Sequence, residues 1–406
     1  MDEITTGARL RTLRRWRGKT QAELAGLAGL SPSFLSMVEH GSRMLDRRSQ
    51  IAALASALRV SETDLVGAPH LTPDPLQADP HMAIPPLRVA LQTNSLSEPA
   101  CEQARPLPEL VQELREQVEP SFFACDYVRL GQHLPAVIDE LHYRVAVPAD
   151  EAAHRLALQT LVEACAYAAF RAKDLGYPDL AHLAATRASE AAAILDEPVA
   201  RGKASYVWLQ TMPRAGSWDR TLHAAERAAS TLAAHVRDDR LGIQVLGQLT
   251  LTVALAAAVT QKGDAASEWL DEADRLADRV PDDPARGWHS FSKSNVGVWR
   301  VAIGVERGVS GRGVLELASA VDEARLSARR SRLTAFRSDV GRGLARDPRT
   351  QADAVRWLRR AEQTAPQRIR NSATVRESVA YLLNRARADA GGRELRGMAA
   401  RMGLPH

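Results

Sequence analysis

Residues 7–65 read GARLRTLRRWRGKTQAELAGLAGLSPSFLSMVEHGSRMLDRRSQIAALASALRVSETDL, and the punctuation of this stretch decides the fold of the N-terminal region. Thr20 and Glu23 have the spacing of a capping box: the threonine hydroxyl accepts from the Glu23 amide while the glutamate reaches back. Leu24, Ala25 and Ala28 give the helix that follows an apolar face, and Gly29 supplies the left-handed residue at which it stops. Ser31 and Pro32 restart the chain as N-cap and first residue of the next helix. Leu35 and Val38 turn that helix inward, so Ser33, Ser36 and Met37 point outward. Ile51, Leu54, Ala55, Leu58, Val60 and Leu65 complete a small core, and five short helices are expected up to residue 66.

This order of caps, turn and core resembles the XRE, or lambda-repressor-like, DNA-binding domain. In that family the third helix enters the major groove while the second crosses the phosphate backbone. The resemblance implies a phosphate contact at Gln21 and base-facing positions at Ser33, Phe34, Ser36 and Met37, with Thr20 and Ser31 beside them at the helix starts. It places His40, Ser42 and Arg43 along a strand backbone, and it makes Arg14 and Glu39 a buried structural ion pair between the first and third helices. One departure stands out: from Ser31 to Met37 there is no Arg, Lys, Asn or Gln, the side chains that read guanine or adenine bidentately. Serine hydroxyls meet almost any base, and Phe34 or Met37 can pack on a thymine methyl. Discrimination is therefore expected from paired half-sites, DNA shape or the Arg43 loop, which makes a homodimer on a double-stranded operator the expected working form.

Outward from this domain, 406 residues exceed the size of a single growing core, so more than one domain is expected. The segment 68–86 holds six prolines, and a proline-rich linker is assigned to 69–86, between a DNA-binding domain at 1–68 and a second domain at 87–406. The net charge of +4 is uneven: residues 1–70 carry +3, residues 310–406 carry +10, and the middle carries −9. Either basic end could meet an anionic partner. No apolar run approaches the roughly 18–20 residues that span a bilayer, so no membrane contact is expected. The start Met-Asp-Glu-Ile-Thr-Thr lacks the pattern of a secretory signal. Three scattered cysteines, Cys101, Cys125 and Cys165, suggest no disulfide framework, and a cytoplasmic location is expected.

From about residue 84 the pattern is helical almost throughout, with no convincing strand, so the fold class is all-α. Small or apolar residues recur at +4, +3 spacing: Ala181, Ala185, Ala188 after Gly176; Thr221, Ala225, Ala228 after Gly216; then Ala266, Leu270, Ala273; Leu317 and Ala320 after Gly313; and Ala354, Leu358, Ala361. Such copies, roughly 40 to 47 residues apart, read as stacked helical hairpins. They resemble the tetratricopeptide repeat, and the last copy even ends in that repeat's proline, Pro366. An irregular bundle of Ala-rich helices is the other reading. A repressor-type domain joined to such repeats is similar to the peptide-pheromone receptors of Gram-positive bacteria, an architecture also frequent in actinobacterial regulators. The resemblance implies that the repeats sense a peptide, a small molecule or a partner protein.

Among the aromatic residues of the repeats, Tyr206, Trp208 and Trp299 are the candidate ligand contacts; tryptophan at helical spacing also serves as packing between hairpins. Arg325, Arg329, Arg330, Arg332 and Arg337 read either as a solvated helix face or as a site for an acidic ligand. The sequence has no HExxH, no CxxC, no glycine-rich phosphate loop and no G-x-S-x-G, so no catalytic residue, cofactor or metal ligand is assigned and no enzymatic activity is expected. Two functions follow: a ligand-responsive transcriptional regulator, or a repeat scaffold that sequesters a protein partner while the helix-turn-helix plays a secondary part.

Overall fold

The structure is a computed structural model that describes residues 5–67, 75–212, 218–386 and 392–404, with only the backbone for 75–77. The first unit has five helices: α1 (Thr6–Trp16), α2 (Gln21–Leu27), α3 (Pro32–Glu39), α4 (Arg48–Leu58) and α5 (Glu62–Val66). Local chemistry fixes their ends. Thr20 Oγ1 accepts from Glu23 N at 3.2 Å while Glu23 Oε2 accepts from Thr20 N at 2.7 Å, and Ser31 Oγ accepts from Phe34 N at 3.1 Å. Gly29 stands at φ +64°, where a side chain would be strained, and lets Leu30 N reach back to Ala25 O at 2.9 Å. Leu10, Leu24, Leu35, Leu54 and Leu58 form the centre of a small separate core.

Helix α4 is the exception, because Arg47 at its N-cap makes no side-chain capping bond. Its orphan donor is satisfied from far away: Arg48 N donates to Glu306 Oε2 at 2.8 Å, across 258 positions of sequence.

The second unit is entirely helical among the described residues. It opens with α6 (Pro75–Met82), α7 (Ile84–Thr93) and α8 (Leu107–Glu113), a π-helical turn at Leu114–Val118, then α9 (Glu119–Ala124) and α10 (Tyr127–Ala146). Hairpins follow: α11 (Glu151–Asp174) with α12 (Pro178–Leu195), α13 (Pro198–Thr211) with α14 (Trp218–Ala233), α15 (Arg240–Val259) with α16 (Gly263–Ala277), and α17 (Lys293–Arg307) with α18 (Arg312–Ser319). After the single turn α19 (Glu323–Leu326) come α20 (Arg330–Ala345) and α21 (Gln351–Thr364), and then α22 (Pro366–Arg370), α23 (Ala373–Ala386) and α24 (Arg393–Arg401).

The first helices of the hairpins pack on one another in series, α11 on α13, α13 on α15, α15 on α17 and α17 on α20, which is the stacking of a helical-repeat array. The +4, +3 copies fall on the second helices, where Ala181, Ala185, Ala188, Ala266, Ala273, Ala354 and Ala361 are fully buried against their partners. The copy at 313–320 is weaker because α18 ends at Ser319 and Leu317 is only half-buried. Gly216, read as one repeat break, lies outside the described residues.

Two expectations change here. Of the segment read as a linker, residues 69–74 lie outside the described residues, and most of the rest is helix. Pro75 opens α6, and Pro85 and Pro86 sit in the first turn of α7, where a missing N–H costs no intrahelical bond. The Pro80 carbonyl accepts from Arg171 Nη2 at 2.9 Å. The second change concerns α15, which is long and apolar enough to cross a bilayer, a run the sequence reading passed over. From Gly242 to Val259 every residue but Gln244 is buried, because α13, α14, α16 and α17 surround the helix. Its composition is that of a core helix enclosed on all sides.

The two units are locked together. Met44 joins the apolar cluster built on α20, α21 and α23, while Ala52 joins the larger cluster built on α11, α13 and α15. Between these contacts lies a buried ion network: Arg48 Nη1 meets Glu306 Oε1 at 2.6 Å, Arg342 Nη2 meets the same oxygen at 3.1 Å, Arg342 Nη1 meets Asp339 at 2.7 Å, and Arg346 meets Asp46 at 2.7 Å. Burial would raise the Glu306 carboxyl, yet Arg48 and Arg342 bring it down to about 2. Trp218 Nε1 adds a bond to Glu62 Oε1 at 3.1 Å.

Arg342→Ala leaves two buried carboxylates short of a partner, and a loss of about 3–5 kcal/mol in urea unfolding is expected; a loss below about 1 kcal/mol would show that the network does not hold the two units together. Glu377, which accepts from Leu45 N at 3.2 Å, works in the opposite sense, since burial pushes its carboxyl up to about 7. A raised carboxyl stabilises the folded state fully below its unfolded value near 4.5, and that contribution is lost as pH rises through about 7. Glu377→Gln is therefore expected to raise the Tm relative to wild type more at pH 8 than at pH 5, and equal shifts at both pH values would contradict this account.

Candidate functional site

The surface that the sequence assigns to DNA is built by α2, α3 and the loop after them. Helix α3 begins at its Ser31 cap and packs inward through Leu35 and Val38, both essentially inaccessible, so Ser33 and Met37 stand exposed and Phe34 and Ser36 half-exposed. Its C-terminus is tied off by local bonds: Ser42 Oγ donates to Met37 O at 3.0 Å, and His40 Nδ1 lies 2.7 Å from Ser36 O. His40, Ser42 and Arg43 are all exposed.

Arg14 and Glu39 form the expected buried pair, with Arg14 Nε to Oε1 at 2.6 Å and Nη2 to Oε2 at 2.8 Å, and Arg14 Nη1 also donates to Lys19 O at 2.8 Å. Gln21 joins them, its Nε2 donating to Glu39 Oε2 at 2.8 Å. Burial pushes the Glu39 carboxyl up, but the bonds from Arg14 and Gln21 and the nearby charge of Arg11 outweigh it and hold it below the usual glutamate value. One Gln21 amide hydrogen is thus committed inside the domain and the other stays available to a phosphate.

The missing cation of α3 is supplied from outside the helix. The Arg43 guanidinium lies over the Phe34 ring at 5.6 Å from its centroid, which carries a positive fork onto the exposed side of α3. Exposed Arg11 lies near the same end, a cation that reading α2 and α3 alone does not place. Ser33, Met37, His40, Ser42 and Arg43 stay exposed beside the docked second unit, which reaches the loop at Gly41, against Asn384, and otherwise engages Leu45, Arg48, Ala52 and Glu62.

A cavity of about 150 Å³ lies in the concave face formed by the stacked first helices. Tyr206 and Gln210 of α13, Trp299 of α17, Arg332 and Asp339 of α20, and Arg48 of α4 are among its walls, so the first unit closes one side. Trp208 does not line it. Two positions from Tyr206 on a helix, it points away and stacks on His182 at 5.8 Å. Of the three residues expected to touch a ligand, the cavity brings together Tyr206 and Trp299.

The chain itself fills much of the concave face. A short turn at Trp288–Ser290 enters it with His289 at φ +44° and Ser290 at φ +67°, left-handed conformations costing about 1–3 kcal/mol each. Gln248 Nε2 holds the His289 carbonyl at 2.8 Å, and Phe170, Tyr206 and Trp288 pack on its ring. Phe291 seats against Gly247, where a Cβ would come within 2.0 Å of the ring. Burial, with Arg332 and Lys203 nearby, pushes the His289 imidazole well below its usual value and keeps it neutral.

The arginine run is less solvated than its spacing suggests. Arg325 pairs with Asp282 at 2.9 Å, Arg337 with Glu323 at 2.7 Å, and Arg329 lies 3.5 Å over Phe123, while Arg330 remains exposed. Arg332, read in the sequence as part of the arginine run, lines the cavity, whereas Lys173 and His289 of the cavity were not singled out in the sequence. The one available signal was the aromatic Gly-Trp-His-Ser-Phe stretch at 287–291, out of step with the Ala-rich helices around it.

Residues 6–66 match the family model described as a helix-turn-helix domain. No curated protein matches the chain. Among solved structures, PlcR of Bacillus thuringiensis in complex with the peptide PapR7 and DNA is similar at 13% identity, over 68% of this chain and 95% of that one, with a TM-score of 0.25. The N-terminal unit is a helix-turn-helix domain.

Glu39→Gln removes the charge that holds both Arg14 and Gln21, and a loss of about 1–3 kcal/mol is expected. Hydrogen exchange in α1 and α3 checks this, and unchanged protection there would mean that the pair does not tie these helices together.

Proposed function

We propose that the chain is a sequence-specific transcriptional regulator that binds double-stranded DNA through α2 and α3, acts as a homodimer on paired half-sites, and is controlled by an effector bound in its helical-repeat unit. The single observation that carries this reading is the helix-turn-helix with its outward surface of Ser33, Phe34, Met37 and Arg43 left free by the docked second unit. Thr20, Gln21 and Ser31 would meet phosphates at the helix starts, and Ser36, His40 and Ser42 would border the groove. With no Arg, Lys, Asn or Gln on α3 from Ser31 to Met37 and Arg43 brought in from the loop, one domain reads little sequence, so two copies are needed to reach a selective affinity. The effector would act by favouring one relative placement of the two reading helices. The absence of catalytic motifs in the sequence favours this reading over an enzyme.

Gel retardation of DNA from upstream of the protein's own gene tests the reading. Wild type is expected to select its site with strong salt dependence, and Arg43→Ala to lower the salt slope by about 1. Met37→Glu, at an exposed position, sets an anion against the groove and is expected to weaken specific binding by at least about tenfold. Salt-dependent but unselective retention, or none, would sink the proposal.

A further inference from the structure

The cavity has the makings of a ligand site whose chemistry can be read from its walls. Its volume of about 150 Å³ equals that of a dry cavity that takes up benzene, so it suits one ring with a short substituent. The turn at 288–290 already occupies the neighbouring part of the concave face, which leaves no continuous trough for an extended chain. Flat apolar rings dominate the lining, with Phe122, Phe123, Phe170, Tyr206 and Trp299 around the space.

The polar groups define the other end of the ligand. The cations Arg48, Lys173, Arg332 and Arg368 face two carboxylates, Asp174 and Asp339. Both carboxylates are engaged: Asp174 accepts from Tyr127 Oη at 2.7 Å and lies 3.5 Å from Arg368, and Asp339 pairs with Arg342 at 2.7 Å. Arg48 is held by Glu306. Arg332 differs, for its guanidinium donates to the His289 carbonyl at 3.3 Å, lies 5.9 Å from the Trp299 ring, and has no carboxylate within ion-pair distance among the described residues. The Trp299 indole N–H is buried without an acceptor. A half-committed guanidinium and an unmet indole donor on one wall form a receptor for a carboxylate, with the fork geometry of Arg332 suited to bidentate binding. The depressed His289 imidazole agrees with a positive potential in this space.

We propose that this cavity is the effector site and that it takes a small monocyclic aromatic carboxylate, its ring among Phe122, Phe170 and Tyr206 and its carboxylate on Arg332 and the Trp299 N–H. This rests on the regulator reading only for its consequence. Arg48 is at once the first residue of α4 and a wall of the cavity, so a ligand that fills the cavity bears on the side chain that Glu306 holds and changes how the first unit is held.

The test uses full-length protein without DNA and the probes benzoate, phenylacetate and 4-hydroxybenzoate, each beside its primary amide, followed by calorimetry and tryptophan fluorescence. At least one acid is expected to bind saturably, one per chain and at least tenfold more tightly than its amide. Arg332→Gln is expected to reduce that preference below twofold with an unchanged Tm, and Arg332→Lys to restore part of it. Binding of no acid, or amides binding as well as acids, would overturn the site. In the retardation assay the binding acid is expected to shift operator affinity at least threefold in wild type and not in Arg332→Gln; an unshifted affinity would overturn the coupling. If the protein retained no DNA while still binding the acid, the regulator reading would fail and the site would stand.

Discussion

The carboxylate of Glu306 carries more of this structure than any other single group. It caps the N-terminus of α4, which has no cap of its own, and it neutralises Arg48 and Arg342 in a space that excludes water. A charge so buried is tolerated only while every partner is present, which makes the arrangement all-or-none. Because one partner lies in the helix-turn-helix unit and the other in α20, the placement of α2 and α3 depends on the placement of the repeats. Part of the basic excess of the C-terminal region is met by carboxylates outside it, with Arg325 on Asp282, Arg342 on Glu306, Arg346 on Asp46 and Arg368 on Asp174.

The parts legible in the sequence are those governed by neighbours a few residues apart. Thr20 with Glu23, Gly29 and Ser31 with Pro32 announce the turn between α2 and α3 because caps and left-handed stops act within a single turn of chain. The alanine triplets announce the hairpins because close helix approach needs small side chains at fixed spacing. What stayed hidden depends on distance in the chain. Nothing around Arg47 states that Glu306 will cap α4, although the lack of Ser, Thr or Asp at that cap was a sign that help must come from elsewhere. The prolines at 75, 85 and 86 punctuate equally well as loop residues and as helix openers, and only the packing of α6 and α7 decides. The cavity was half visible: Tyr206 and Trp299 stood out as aromatics, but the free face of Arg332 emerges only when its neighbours are seen to be engaged.

On the outward surface of α3 the polar and charged parts are divided. The helix itself is bare of long polar side chains, while the cation, Arg43, stands on the loop after it and is anchored over Phe34.

The last hairpins return to the first. Arg368 of α22 pairs with Asp174 of α11, Gln367 accepts from the Tyr127 amide at 2.8 Å, and Arg329 lies over Phe123 of α9. An array of repeats ordinarily has two open ends, from which it frays and to which copies can be added or removed one at a time. Here α22 is tied to α11 and α20 to α9, so loosening the first hairpins also breaks bonds to the later ones, and the two stretches of the array are coupled in unfolding.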